Sequence, residues 1–179
     1  MIILALDTAT RTGWAIIDNG RLIESGVQDF KPKRGESNGM RFLNFRYWLD
    51  LIVKTVHPNL IIYEQAHHRG GPATEVLVNL TGRVQEVAAE HGIDYTTVHT
   101  GTLKKWACGA GNADKGAMMD RAGTYLGRKP IDDNEADAVL MAMYAWSEYG
   151  EPEAIRDAAR LAGEAENGRT NLTAGEHDQ

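Results

Sequence analysis

The sequence predicts an α/β protein, a mixed five-stranded sheet with helices on both faces. Three observations predict it. Short apolar runs end abruptly in a carboxylate, as in Met1-Ile2-Ile3-Leu4-Ala5-Leu6-Asp7 and Leu60-Ile61-Ile62-Tyr63-Glu64. Such continuous runs suit strands buried on both faces. Asn19-Gly20 joins two strand-like stretches, and a two-residue turn with positive φ at both positions favours that pair. Further along, helix-period stretches alternate with strand-length ones.

The 179 residues are enough for one domain with a substantial core, and 42% of them are hydrophobic. No apolar run approaches the ~20 residues of a membrane span. The N-terminal apolar run has no basic flank and leads straight into Asp7, which argues against a signal peptide. The one cysteine, Cys108, excludes an intrachain disulfide, and a cytoplasmic protein with no membrane partner is expected.

The net charge of −6 is unevenly spread. Residues 151–179 hold seven acids and three bases. Basic residues gather at Lys31, Lys33, Arg34, Arg41 and Arg46, and again at Lys104, Lys105 and Lys115. This balance permits nucleic-acid binding without requiring it.

In order, strands are expected over 2–7, 12–18 and 21–29, as an antiparallel meander. A polar loop with Pro32, Gly35, Ser37 and Gly39 follows. A helix over 40–56 is expected to bury Leu43, Tyr47 and Leu51, beside Trp48 and Ile52. Residues 59–63 form the fourth strand. His67-His68-Arg69-Gly70-Gly71-Pro72 is a loop, and 73–91 a helix with Leu77, Leu80, Val84 and Val87 on one face, stopped by Gly92. A fifth strand spans 94–98. Helices follow over 100–108, with Thr100 as cap, over about 113–126, capped by Asn112 or Asp114, and over 133–149. Residues 1–163 are expected to form the domain and 164–179 an acidic, disordered tail. Three strands, helix, strand, helix, strand, then helices is the order of a ribonuclease H-like fold.

Asp7, Glu64 and Asp137 are the centre of the chemistry. Two acids at strand ends and one near a helix start can converge on one point. Unpaired, three clustered carboxylates would raise one another's pKa, so the cluster suits divalent cations, which prefer carboxylate oxygen. Two such ions about 4 Å apart hydrolyse phosphodiesters. Taken singly, Asp7 and Glu64 could equally terminate strands, and Asp137 could occupy a polar helix face. Asn134 and Asp133 stand three and four residues before Asp137, on its helical face, and either is a candidate fourth ligand. Capping competes for Asp132 and Asp133. Lys115, in the first turn of its helix after a glycine-rich break, suits a phosphate or leaving group, although a solvated lysine is the ordinary alternative. His67, His68 and Arg69 after Glu64 could touch DNA or be a plain loop. The 31–46 stretch could grip a duplex arm or be solvated. Trp14 and Trp48 fit a core better than a base-stacking surface. The 73–91 helix could pair with a second copy or with its own core.

The segments Asp7-Thr8-Ala9-Thr10-Arg11-Thr12-Gly13-Trp14-Ala15, Tyr63-Glu64-Gln65, Ala113-Asp114-Lys115 and Glu135-Ala136-Asp137-Ala138 resemble, in order, the RuvC-like Holliday junction resolvases, most closely the phage-type members. The resemblance covers about residues 1–149. It implies a homodimeric endonuclease of a bacterial or phage-infected cell, making paired symmetric nicks in four-way DNA junctions and leaving 5′-phosphate and 3′-hydroxyl ends. It implies two Mg2+ per active site, replaceable by Mn2+, and no nucleotide cofactor. Asp7, Glu64 and Asp137 fall on the family's metal-binding acids, and Lys104 and Lys115 on its functional lysines. The family often has an acid where this chain has Asn134, so amide ligation by Asn134 or replacement by Asp133 is expected. Lys31, Lys33, Arg34, His68, Arg69 and Lys105 are the candidate DNA contacts. The competing expectations are a same-fold nuclease for other branched DNA or RNA, and a junction-binding module without catalysis. A sugar-kinase-like reading of Asp7 to Gly13 requires two such domains, and the chain is too short for both.

Overall fold

The computed structural model describes residues 1–65 and 71–150. The expected tail, and with it the boundary at 163, lies outside the described residues. Five strands, β1 (Ile2–Asp7), β2 (Arg11–Asp18), β3 (Arg21–Asp29), β4 (Leu60–Glu64) and β5 (Asp94–Val98), form one sheet in the order β3-β2-β1-β4-β5. The meander is antiparallel, while β4 and β5 run parallel to β1. Asn19 and Gly20 both take positive φ, +48° and +78°, as the expected turn requires.

Because successive side chains alternate across a strand, each central strand feeds two cores. Ile3, Ala5, Ala15, Ile17 and Ile62 pack under α3 (Thr100–Cys108), α4 (Lys115–Leu126) and α5 (Asp133–Ala145). Leu4, Leu6, Ile16, Ile61 and Tyr63 pack under α1 (Gly39–Val56) and α2 (Pro72–His91). The sheet is therefore mixed and covered on both faces. None of the described helices is long and apolar enough to cross a membrane.

Three local expectations are corrected. In α1 the buried stripe is Phe45, Leu49 and Val53, while Tyr47 and Leu51 are 60% and 65% exposed. Both stripes have helical spacing, and periodicity alone does not say which one meets the sheet. Phe45 wins because its ring packs edge-on against Phe30, 5.2 Å away, beside Trp48. Thr100 does not cap α3. His99 holds that position and Thr100 is the first helical residue. The helix expected over 133–149 ends at Ala145 and continues as a wider π-type turn over Trp146–Gly150. Asp114 caps α4, its carboxylate accepting the Ala117 amide at 2.8 Å.

Parallel β1 and β4 both finish at the same edge of the sheet. This edge receives Asp7 and Glu64, the last residues of their strands.

Candidate active site

The third acid reaches that edge through the docking of α5. Asp132 caps the helix, accepting the Glu135 amide at 3.1 Å through Oδ1. Its Oδ2 takes the Arg11 guanidinium at 2.6 Å and the Asn134 side-chain amide at 3.3 Å. The first turn rests directly on β2: a Cβ on Gly13 would stand 1.9 Å from the Asn134 carbonyl oxygen. Only glycine admits so close a backbone approach.

Glu135 locks the same turn from beneath. It is fully buried, accepts the Ser25 hydroxyl at 2.7 Å and the Ile131 amide at 2.6 Å, and pairs with both terminal nitrogens of Arg128. Burial pushes its carboxyl up, but Arg128, the Ile131 amide and Ser25 outweigh that and hold it below the usual range.

Asp137, one turn on, then faces Asp7 and Glu64. Burial raises the Asp7 carboxyl well above its ordinary value, with Asp137, Glu64, Asp133 and Asp132 adding repulsion. Burial, then Glu64 and Asp133, push Asp137 up to about 6 against the opposing pull of Lys104 and Lys115. Glu64 is oriented by the Thr100 hydroxyl, which donates to its Oε1. The acids thus share one electrostatic field, and the residues present fit hard divalent cations: the donors are carboxylate oxygens, and cation binding removes the repulsion. Thr8, beside Asp7, is buried, and its hydroxyl has no partner among the described residues.

Asp133 and Asn134 separate clearly. Asp133 lines a cavity of about 210 Å³ with Thr100, Lys104, Lys115 and Asp137, and its carboxylate lies 2.7 Å from the Lys115 ammonium. The Asn134 amide is turned to Asp132 instead. Lys105 is exposed on α3. Lys31, Lys33 and Arg34 are exposed on the loop after β3, which starts at the same sheet edge, where the Phe30 amide donates to the Thr10 carbonyl. His67, His68 and Arg69 lie outside the described residues.

The sequence reading missed Glu135, Arg128, Arg11 and the Thr100–Glu64 bond. A signal for Glu135 existed: Asp132-x-x-Glu135 has capping-box spacing. A further group, Asp50, Glu90 and His91, brings three ligand atoms within 4.8 Å of one another, but at the opposite sheet edge. Lys54 and His91 occupy Asp50 there, and Arg46 occupies Glu90, so its charges are already compensated.

No family model matches the chain. Curated relatives are crossover junction endodeoxyribonucleases RuvC. Those of Rickettsia africae and Brachyspira hyodysenteriae are each 26% identical, over 150 and 149 residues, covering 79% and 80% of this chain and 94% and 92% of the relatives. That of Bradyrhizobium sp. is 28% identical over 137 residues, covering 74% and 78%. Among solved structures, Thermus thermophilus RuvC superposes with a TM-score of 0.70 at 20% identity, covering 84% of this chain and 97% of that one. The same protein in complex with Holliday junction substrate gives 0.71 at 20% identity, covering 83% and 96%. In sequence this chain is similar to the RuvC relatives, and in its mixed five-stranded sheet it shares their ribonuclease H-like fold.

Proposed function

We propose that the chain is a metal-dependent endonuclease that resolves four-way DNA junctions by paired symmetric nicks. One observation carries this reading: carboxylates from β1, β4 and α5 meet at one sheet edge beside two lysines, in a RuvC-like chain. The activity named for the curated relatives gives the substrate.

The ligand set we assign is Asp7, Glu64, Asp137 and Asp133, with two Mg2+ as the natural ions and Mn2+ able to replace them. Such a pair supplies an activated water and stabilises charge on the leaving oxygen. Asp7 stands between Glu64 and Asp137 in this scheme. Asp133 takes the fourth place over Asn134 because it lines the cavity of Asp137, where a bound ion would compete with Lys115 for its carboxylate, while the Asn134 amide is turned to Asp132. With Asp133 in that place the proposed ligand set would be complete without Asn134, which favours the catalytic reading over a binding module.

The protein groups do the positioning. Thr100 holds the Glu64 carboxylate, and Arg128 with Glu135 holds α5. Lys104 and Lys115 offer ammonium groups to the scissile phosphate. Lys31, Lys33, Arg34 and Lys105, with His68 and Arg69, would contact the junction arms, chiefly through phosphates. Paired nicks need two sites, hence a homodimer, and no nucleotide cofactor enters the scheme. We assign the nuclease unit to residues 1–163 and its place of action to the cytoplasm.

The test is cleavage of an immobile labelled four-way junction, with linear duplex of the same sequence as control, in magnesium, in chelator and with Asp7→Asn. Symmetric, magnesium-dependent nicks in the junction alone, absent from the variant, are expected. Cutting of flaps or RNA hybrids instead would move the substrate. Tight binding without cutting in any metal would defeat the catalytic reading.

A further inference from the structure

We infer that Thr8 is part of the metal site, its hydroxyl bonding to a water of the divalent ion held by Asp7 and Glu64. The inference rests on the metal-binding reading above and concerns a residue to which neither the resemblance nor that reading gives a role.

Thr8 is only 4% exposed, and its Oγ1 has no hydrogen-bond partner among the described residues. The other buried threonines behave differently. The Thr12 hydroxyl donates to the Ala9 carbonyl at 2.7 Å, and that of Thr81 to the Val78 carbonyl at 3.1 Å. Buried hydroxyls are nearly always satisfied, so an orphan points to a partner that arrives with a ligand. If only a branched side chain were needed for packing, valine would fill the same space without a polar atom to desolvate.

The surroundings say what that partner is. Thr8 lines a cavity of about 130 Å³ with Asp7, Glu64, Gln65 and Leu77. At roughly 30 Å³ per water, this holds a few water molecules rather than a base or sugar. Its polar lining is two carboxylates, an amide and the hydroxyl. The cavity lies toward α2, which supplies Leu77, whereas the Asp133–Asp137–Lys104–Lys115 cavity lies under α4 and α5 on the other face of the sheet. An ion held by Asp7 and Glu64 would have room in this cavity for waters of its hydration shell, within the space that Thr8 lines. The hydroxyl can accept a hydrogen bond from such a water, the kind of outer contact that orients metal ligands.

The experiment compares the full chain with Thr8→Val and Thr8→Ser, without DNA. Thermal midpoints are followed during Mg2+ and Mn2+ titration and in chelator, and junction cleavage against metal concentration is measured separately. In chelator, Thr8→Val is expected to melt at or above the wild-type midpoint, because it removes an unsatisfied buried hydroxyl. Its half-saturating metal concentration should rise about tenfold or more, in both melting and cleavage. Thr8→Ser should recover metal affinity, a rescue that loss of packing alone would not give. Half-saturation of Thr8→Val within about twofold of wild type would overturn the inference while leaving the metal site intact. Failure of serine to restore affinity would overturn it too. Absence of any metal-dependent stabilisation in the wild type would instead overturn the metal-site reading on which it depends.

Discussion

The Lys115 ammonium lies 2.7 Å from the Asp133 carboxylate, so a cation already rests against the acid four residues before Asp137. Asn134, three residues before it, has its amide on Asp132. Asp133→Asn is therefore expected to raise the half-saturating magnesium concentration for junction cleavage by about tenfold or more. Asn134→Ala should shift it by less than about threefold, because only the helix cap is touched. Equal effects of the two substitutions would reject Asp133 as the ligand.

Asp137 sets a pH dependence with a definite sign. Its folded-state value of about 6 lies above the ordinary 3.8. A carboxyl raised on folding contributes stability below its unfolded pKa and loses it as pH rises through the folded one. The metal-free protein should thus lose about 3 kcal/mol from this group between about pH 4 and 6. Urea unfolding in chelator across that range tests it: Asp137→Asn should flatten the slope, and saturating magnesium should restore stability near neutral pH. An unchanged slope in the variant would refute the assignment.

Gly13 and the Asn134 carbonyl impose a steric limit. Gly13→Ala places a methyl 1.9 Å from that oxygen, so the helix must lift from β2. A loss of about 3 kcal/mol is expected, read by chemical denaturation, together with loss of nicking. Wild-type stability would mean that α5 sits farther from the strand than described.

Removing one partner of a buried charge leaves the other uncompensated. Arg128→Ala strands the fully buried Glu135 and should cost about 3 kcal/mol. Glu135→Gln keeps the Ser25 and Ile131 contacts within reach and should cost less. Junction binding in chelator separates this from a direct DNA role of Arg128, because the glutamine variant retains the guanidinium.

Much of the fold was legible in the sequence, because strands buried on two faces announce themselves as unbroken apolar runs and Asn-Gly fixes a turn by backbone sterics alone. The α1 stripe was not, since Leu43-Tyr47-Leu51 and Phe45-Leu49-Val53 share one period and only Phe30, brought from the end of β3, decides between them. Asp7, Glu64 and Asp137 were conspicuous as charges at the ends of apolar elements. Glu135 was hidden because a glutamate at the third position of a helix is ordinarily solvated. Its burial depends on Ser25 and Arg128, 110 and 7 residues away. The Thr8 cavity depends on Leu77 of α2, which no local pattern connects to residue 8.

The three acids enter the chain at positions 7, 64 and 137, on elements that reach one another only through sheet pairing and the seating of α5. During synthesis the first two emerge early, but a nascent chain that ends before α5 would lack the third acid of the proposed ligand set. On the proposed reading, fragments released by premature termination or by proteolysis before α5 would lack Asp137 and would not cut DNA.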